Sequence, residues 1–201
     1  SVRNDERVIN ATQINGVDGT RVDDLTRAEF EGRRQAVQVM AFLRQHAPGF
    51  QNAYISGMPA VIGVRETRRI LGREYLTAKD LLAGRKWPDA VVRGADFIMD
   101  IHNPAGAGQA TGHTRENPMG KDAAVKPYDI PYGCLLPRNV ESLIVAGRCI
   151  SGSHEAHASY RVQRIALAIG AAAGAAAAEA VRQKKAPREI DVSSLQPRLL
   201  S

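Results

Sequence analysis

The run LIVAGRCISGSHEAHASYRVQRIALAIGAAAGAAAA, residues 143–178, constrains this chain more than any other stretch. Leu143-Ile144-Val145-Ala146 is short and wholly apolar, the pattern of a strand buried on both faces of a parallel sheet. Gly147-Arg148-Cys149 ends it, a polar loop over residues 151–157 follows, and a long helix is expected from Ser159 or Tyr160 to Lys184. The order strand, loop, helix matters chemically. Open parallel sheets bind ligands beyond the carboxyl ends of their strands, where a helix N-terminus offers unpaired N–H groups and partial positive charge. Gly147 would let a ligand approach the backbone, Arg148 would meet phosphate or hydroxyl oxygens, and Ser151 and Ser153 would cap or donate. The same residues also read as a plain strand end beside a surface arginine, and the pattern alone does not separate the two. The uncharged stretch 165–178 has 14 residues, short of a bilayer span. Gly170 and Gly174, four apart, point to a helix lying close to a neighbouring backbone.

Upstream, residues 7–15 alternate weakly and predict a strand, and Asn15-Gly16-Val17-Asp18-Gly19-Thr20 is turn chemistry. A helix is expected from Asp23 or Asp24 to near His46, with acids leading and Pro48-Gly49 beyond its end. Short strands are expected at residues 53–56, 60–64, 69–76, 97–101 and 133–136. Thr77 is the expected N-cap of a short helix. Residues 103–129 carry Gly and Pro without periodicity, a loop long enough to act as a lid or crossover.

Charge and composition narrow the function classes. The chain has 21 Arg and 6 Lys and a net charge of +6. The arginines are scattered and aromatics make up only 5%, which argues against a nucleic-acid interface. Arg in preference to Lys suits planar recognition of phosphate or carboxylate, or reflects only a solvated surface. Cys134 and Cys149 give neither a disulfide framework nor a metal-ligand spacing. The first residues lack an apolar signal region, so the expected location is cytoplasmic, with no membrane partner.

The segment 143–178 resembles the C-terminal, flavin-contacting part of FAD-dependent oxidoreductases of the FAD_oxidored family, some of whose bacterial members are labelled xanthan-lyase-like. NGVDGTRVDDLTRAEFEGRRQA, PGFQNA, IGVRETRRILGREYLTAKDL, DIHNP and IPYGCLLPRNVESL resemble family segments in family order, so the likeness covers nearly the whole chain. It implies an α/β fold: part of a glutathione-reductase-type FAD-binding fold, its C-terminal strand and helix, plus a β-rich α+β substrate domain. The implied division is 1–102 substrate portion, 103–129 loop or lid, and 130–201 return to the FAD domain. It implies FAD as cofactor and hydride transfer with a small organic substrate. Gly147, Arg148, Cys149, Ser151 and Ser153 would line the flavin, and Arg161, Val162 and Gln163 would bring helix N–H groups to its C2 carbonyl. Related flavoproteins often carry an acid where Arg148 stands, so Arg148 would meet phosphate or a flavin oxygen instead.

No G-x-G-x-x-G follows a strand; Gly106-Ala107-Gly108 and Gly170 to Gly174 lack the context. The ADP half of the site is therefore expected from an N-terminal FAD-binding portion or subunit, in an oligomeric assembly. The alternative is a non-catalytic assembly subunit or stable fragment of a flavoprotein. Three residues are candidates for the chemistry. His102 lies two from Asp100 at an expected strand end, so the two share a face if the strand persists. His154 and His157 are its rivals, closer in chain to the flavin loop. Arg65, in the charged run Arg65-Glu66-Thr67-Arg68-Arg69, meets substrate or FAD, or belongs to a salt-bridge network. No metal is expected, because His154-x-x-His157 has no third ligand.

Overall fold

The computed structural model describes Arg3 and residues 5–102 and 124–199. The expected loop or lid at 103–129 lies mostly outside these residues. The chain divides into two compact units, the first built from Ser1–Thr67 with Pro104–Ala107, the second from Arg68–Asn103 with Gly108–Ser201.

The first unit is organised by α1, Val22–His46. Asp23 and Asp24 in its first turn and Arg44 and His46 in its last complement the helix dipole. The strands expected at 7–15, 53–56 and 60–64 do not form. Their backbones bond to side chains of α1 instead of to one another. Gln13 N–H donates to Gln35 Oε1 (3.1 Å) and Ile62 N–H to Glu29 Oε1 (2.6 Å). Arg44 Nε donates to Ala53 O at 2.7 Å. A segment whose N–H groups are taken up this way has no ladder to join. Ala28 is the one buried residue of the helix, whereas Phe30, Val37 and Phe42 are exposed.

The second unit carries α2 (Ala78–Ala83), β1 (Ala90–Ala95), β2 (Tyr128–Pro131), α3 (His154–Tyr160), α4 (Gln163–Gln183) and α5 (Gln196–Leu199). Mixed helices and a small sheet are compatible with the expected α/β class. Thr77 caps α2 through a reciprocal box with Asp80, as its sequence predicts. β1, which is absent from the sequence expectations, pairs antiparallel with β2 in the register Ala90↔Pro131, Val92↔Ile130, Ala95↔Tyr128, with irregularities between. The apolar run of α4 packs on this sheet: Ile165, Ile169, Ala172, Ala176 and Ala180 are buried at helical spacing. Leu76, Leu81, Tyr128, Ile130, Leu135, Ile150 and Tyr160 complete the core.

Segments 69–76, 133–136 and 143–146 form no regular strand. Residues 132–135 close instead into a 3-10 turn. Segment 69–76 runs between two neighbours through single bonds: Ile70 N–H to Cys149 O (3.0 Å), Arg73 N–H to Leu136 O (3.0 Å) and Ser153 N–H to Leu76 O (2.8 Å). Bridges are isolated, Gly72↔Pro137 and Leu76↔Gly152. The close crossing explains the glycine: a Cβ on Gly72 would fall 2.7 Å from Ser151 Cβ and 2.8 Å from Gly133 O. Two further expectations change. The helix expected as one piece is two, broken at Arg161 and Val162, and it starts earlier, so residues 154–157 are helix rather than loop. Gly170 and Gly174 face open space in the described structure rather than a close backbone: a Cβ added at either would meet nothing within 4 Å. At 21 residues and mean hydropathy 1.5, α4 is long and apolar enough to cross a membrane by length and composition, although a third of that window is buried in the core.

Candidate functional site

The residues singled out between 147 and 163 come from two neighbouring features. The first is a 3-10 turn, Gly147–Cys149. The second is the junction where α3 ends and α4 begins. α4 packs against the turn, so the structure brings Gly147, Arg148 and Cys149 to the same helix that carries Gln163.

Local sequence explains the junction. Ser153 caps α3 by accepting from Ala156 N–H at 3.2 Å. Tyr160, fully buried, anchors the end of α3 by donating to Ile150 O at 3.0 Å. Val162 then turns extended (φ −65°, ψ 148°) and becomes the N-cap of α4 without a side-chain cap bond. Carbonyl bonding along α4 starts with Ile165 and Ala166 N–H on Val162 O. The first turn of α4 therefore brings backbone donors and the positive end of a 21-residue helix to this place.

Two arginines flank α3. Arg69 Nε donates to Gly152 O at 2.8 Å just before the helix, and Arg161 follows its last turn, where its backbone N–H donates to His157 O at 3.0 Å. His157 is 1% exposed, its ring edge-on to Tyr160 with centroids 5.5 Å apart. Burial, aided by Arg69, Arg161, His154 and Arg148, pushes its imidazole down to about 3. A neutral His157 is thus fixed inside a cationic surround. The sequence marks it only as a rival to His102 beside His154, because burial is the decisive property and spacing does not reveal it.

The candidate acid/base residues are placed differently. Residues 97–101 form no strand; Asp100 N–H turns back to Ile98 O (2.9 Å) and Ile101 N–H to Met99 O (3.0 Å). His102 still faces Asp100, with Nε2 3.6 Å from Oδ1. The other Asp100 oxygen takes Arg161 Nη2 at 2.5 Å. His102 and Arg161, candidates for different reasons, therefore share one carboxylate. His154 opens α3, six residues and about 9 Å of helix rise from Tyr160, at the end away from Arg161. Arg65 is half-buried in the first unit.

A flavin suits some of these positions better than others. Gly147 has φ +74°, and a Cβ there would meet nothing within 4 Å, so its backbone lies open to a ring or ribityl chain. Arg148 and Cys149 are exposed beside it. Arg161 Nε is buried without a hydrogen-bond partner, a donor that a carbonyl or phosphate oxygen would satisfy. Ser153 already spends its hydroxyl on the α3 cap. Ser151 is fully buried with its hydroxyl unpaired, sealed against the Gly72 segment. Cys134 is buried, which pushes its thiol up to about 12 and suits a core role.

A family model described as FAD dependent oxidoreductase fits residues 1–199. Curated proteins and solved structures gave no match. With nearly the full length matched, the chain belongs to the FAD-dependent oxidoreductase family, whose cofactor is FAD.

Proposed function

We propose that this chain supplies the flavin-end and substrate-facing parts of an oxidoreductase that moves hydride between a small organic substrate and FAD. The observation that carries the reading is the packing of α4 against the open Gly147–Cys149 turn, inside a chain of this family. Bound FAD supplies a two-electron acceptor. The chain's part is to hold and polarise it. Gly147 admits it to the backbone, Arg148 and Arg161 bring cationic donors, and the first N–H groups of α4, at Gln163 and beyond, favour negative charge on the ring. His102 accepts the substrate proton, with His154 and Arg65 as further candidates for substrate contact.

The finer organisation belongs to the same proposal. Residues 130–201 return to a glutathione-reductase-type FAD domain whose ADP half comes from an N-terminal portion or subunit. Residues 1–102 serve the substrate, 103–129 form the loop over it, and the whole works as an oligomer of the xanthan-lyase-like type. The apolar segment 143–146, which forms no regular strand, supports this, since an apolar run gains most from strand neighbours.

Reconstitution tests it. The chain is mixed with its N-terminal FAD-binding portion and with FAD, and the visible flavin bands are followed through gel filtration. Flavin comigrating with the complex is expected, and its loss on Arg148→Gln or Arg161→Gln would place those residues. A folded complex that stays colourless overturns the reading and leaves an assembly subunit in its place.

A further inference from the structure

Residues 96–102 are irregular in backbone yet tied to one place. Ser159 Oγ donates to Phe97 O at 2.6 Å and accepts from Tyr128 on its other side (2.9 Å). The Arg164 guanidinium donates to Asp96 O and lies 5.9 Å from the Phe97 ring centroid. Ile101 and Ala158 bury each other. Arg161 holds Asp100. Ser159 and Ala158 belong to α3 and Arg164 to α4, and Arg161 lies at their junction. His102 stands at the end of this strap, 41% exposed in its side chain, whereas Asp100 is 14% exposed.

We propose that Asp100 is a positioning residue for His102, itself fixed by Arg161, so that the imidazole is presented to the α3–α4 junction in one orientation. This rests on the reading of His102 as the proton acceptor. A half-exposed ring at the end of an irregular segment samples several rotamers, and ordering it costs entropy at every turnover. A carboxylate facing Nε2 selects one orientation. It also favours the tautomer with its proton on Nε2, which leaves the Nδ1 lone pair free to accept. The 3.6 Å separation is longer than a hydrogen bond. Catalytic pairs commonly stand open in this way without substrate and close when it arrives. In a dehydrogenation the substrate loses two hydrogens. One leaves with the electron pair to FAD, the oxidant, and the other leaves as a proton onto Nδ1 of His102. The imidazolium so formed faces Asp100, whose charge Arg161 keeps in place.

The test reads His102 directly. The full chain is labelled with 15N-histidine, and the imidazole resonances are assigned by single His→Gln changes. Asp100→Asn and Arg161→Gln are each expected to move the His102 ring resonances while those of His46, on α1, stay put. The double variant is expected to move them no further than Asp100→Asn alone, because both changes break one chain of contacts. Asp100→Glu and Arg161→Lys are expected to recover part of the native shift. Unmoved His102 resonances in Asp100→Asn, or shifts that simply add in the double variant, overturn the proposal. A purely structural role would lower the melting temperature and leave the His102 spectrum native. Where Asp100→Asn fails to fold, the Glu and Lys variants decide by the same resonances. A chain that shows the coupling yet takes up no FAD beside its partner portion sinks the oxidoreductase reading of the site and leaves the positioning of His102 standing.

Discussion

The two units solve the same problem by opposite means. In the first, a 25-residue helix binds irregular chain through its side chains, and Phe30, Val37 and Phe42 remain on the outside. In the second, apolar side chains from four helices and a two-stranded sheet close over one another, and buried side chains such as Asp80, Tyr128 and Glu179 are paired or capped, whereas Ser151 Oγ and Arg161 Nε are not. Side-chain-to-backbone bonds fix geometry at about 1 kcal/mol net each, while burial of apolar surface supplies most of the stability of a fold. The second unit should therefore set the stability of the chain, and the first should be the more easily opened.

The largest test of that contrast is acid. The His157 imidazole takes a proton near pH 6.5 in the unfolded chain but only near pH 3 in the fold. Between those values the unfolded state binds more protons, so stability falls as pH drops, by about 1.4 kcal/mol per pH unit. Urea titrations from pH 7 to pH 3 should show this slope, and His157→Gln should flatten it. The first unit holds no comparable group among its described residues. Hydrogen bonds from Arg34 and Gln35 push Glu31 down to about 2, but at the surface, where such pairs contribute little. An equally steep acid slope in His157→Gln would break the contrast.

Core truncation comes next. Ile169, fully buried between α4 and the sheet, should cost about 2–5 kcal/mol as Ile169→Ala. Phe30 on α1 is 72% exposed, and Phe30→Ala should stay within about 0.5 kcal/mol. Chemical denaturation of both variants, read against each other, sharpens the comparison; equal losses would undo it. Gly72→Ala forces a methyl between Ser151 and Gly133 and should cost about 1–3 kcal/mol. Gly170→Ala, in a helix and facing open space, should instead stabilise by about 0.5–1 kcal/mol in the same assay. In the first unit, Glu29→Ala removes the acceptor for Ile62 N–H and should lower stability by about 0.5–1.5 kcal/mol. Faster amide exchange at Ile62, with Ile169 protection unchanged, would show that the loss stays within the first unit.

Legibility in the sequence follows the same division. α1 and the capped α2 are legible because their signals are local: acids at the first turn, and Thr77 with Asp80 three residues on. The segments 7–15 and 60–64 mislead as strands because alternation records which side chains are apolar. It says nothing of whether Gln35 or Glu29 will take the backbone N–H groups. A continuous helix from Ser159 is the wrong expectation because the break depends on Tyr160 reaching Ile150, a contact across ten residues of folded chain. Within the candidate site, the family resemblance points to Gly147, Arg148 and Arg161, and Asp100 stands beside His102 in sequence. The joining of Arg161 to Asp100 across 61 residues is invisible until the fold places them together.

The segment 143–146 has a practical consequence as well. It is apolar, Ala146 is extended, Leu143 is 45% exposed, and Val145 N–H bonds to Leu135 O at 2.8 Å without a regular ladder forming around it. Such a stretch is a template on which another extended chain can add itself. At high concentration, clumping should begin there before any loss of helix signal. Leu143→Lys should keep the sample clear for longer, because a charge at this exposed position opposes a second chain.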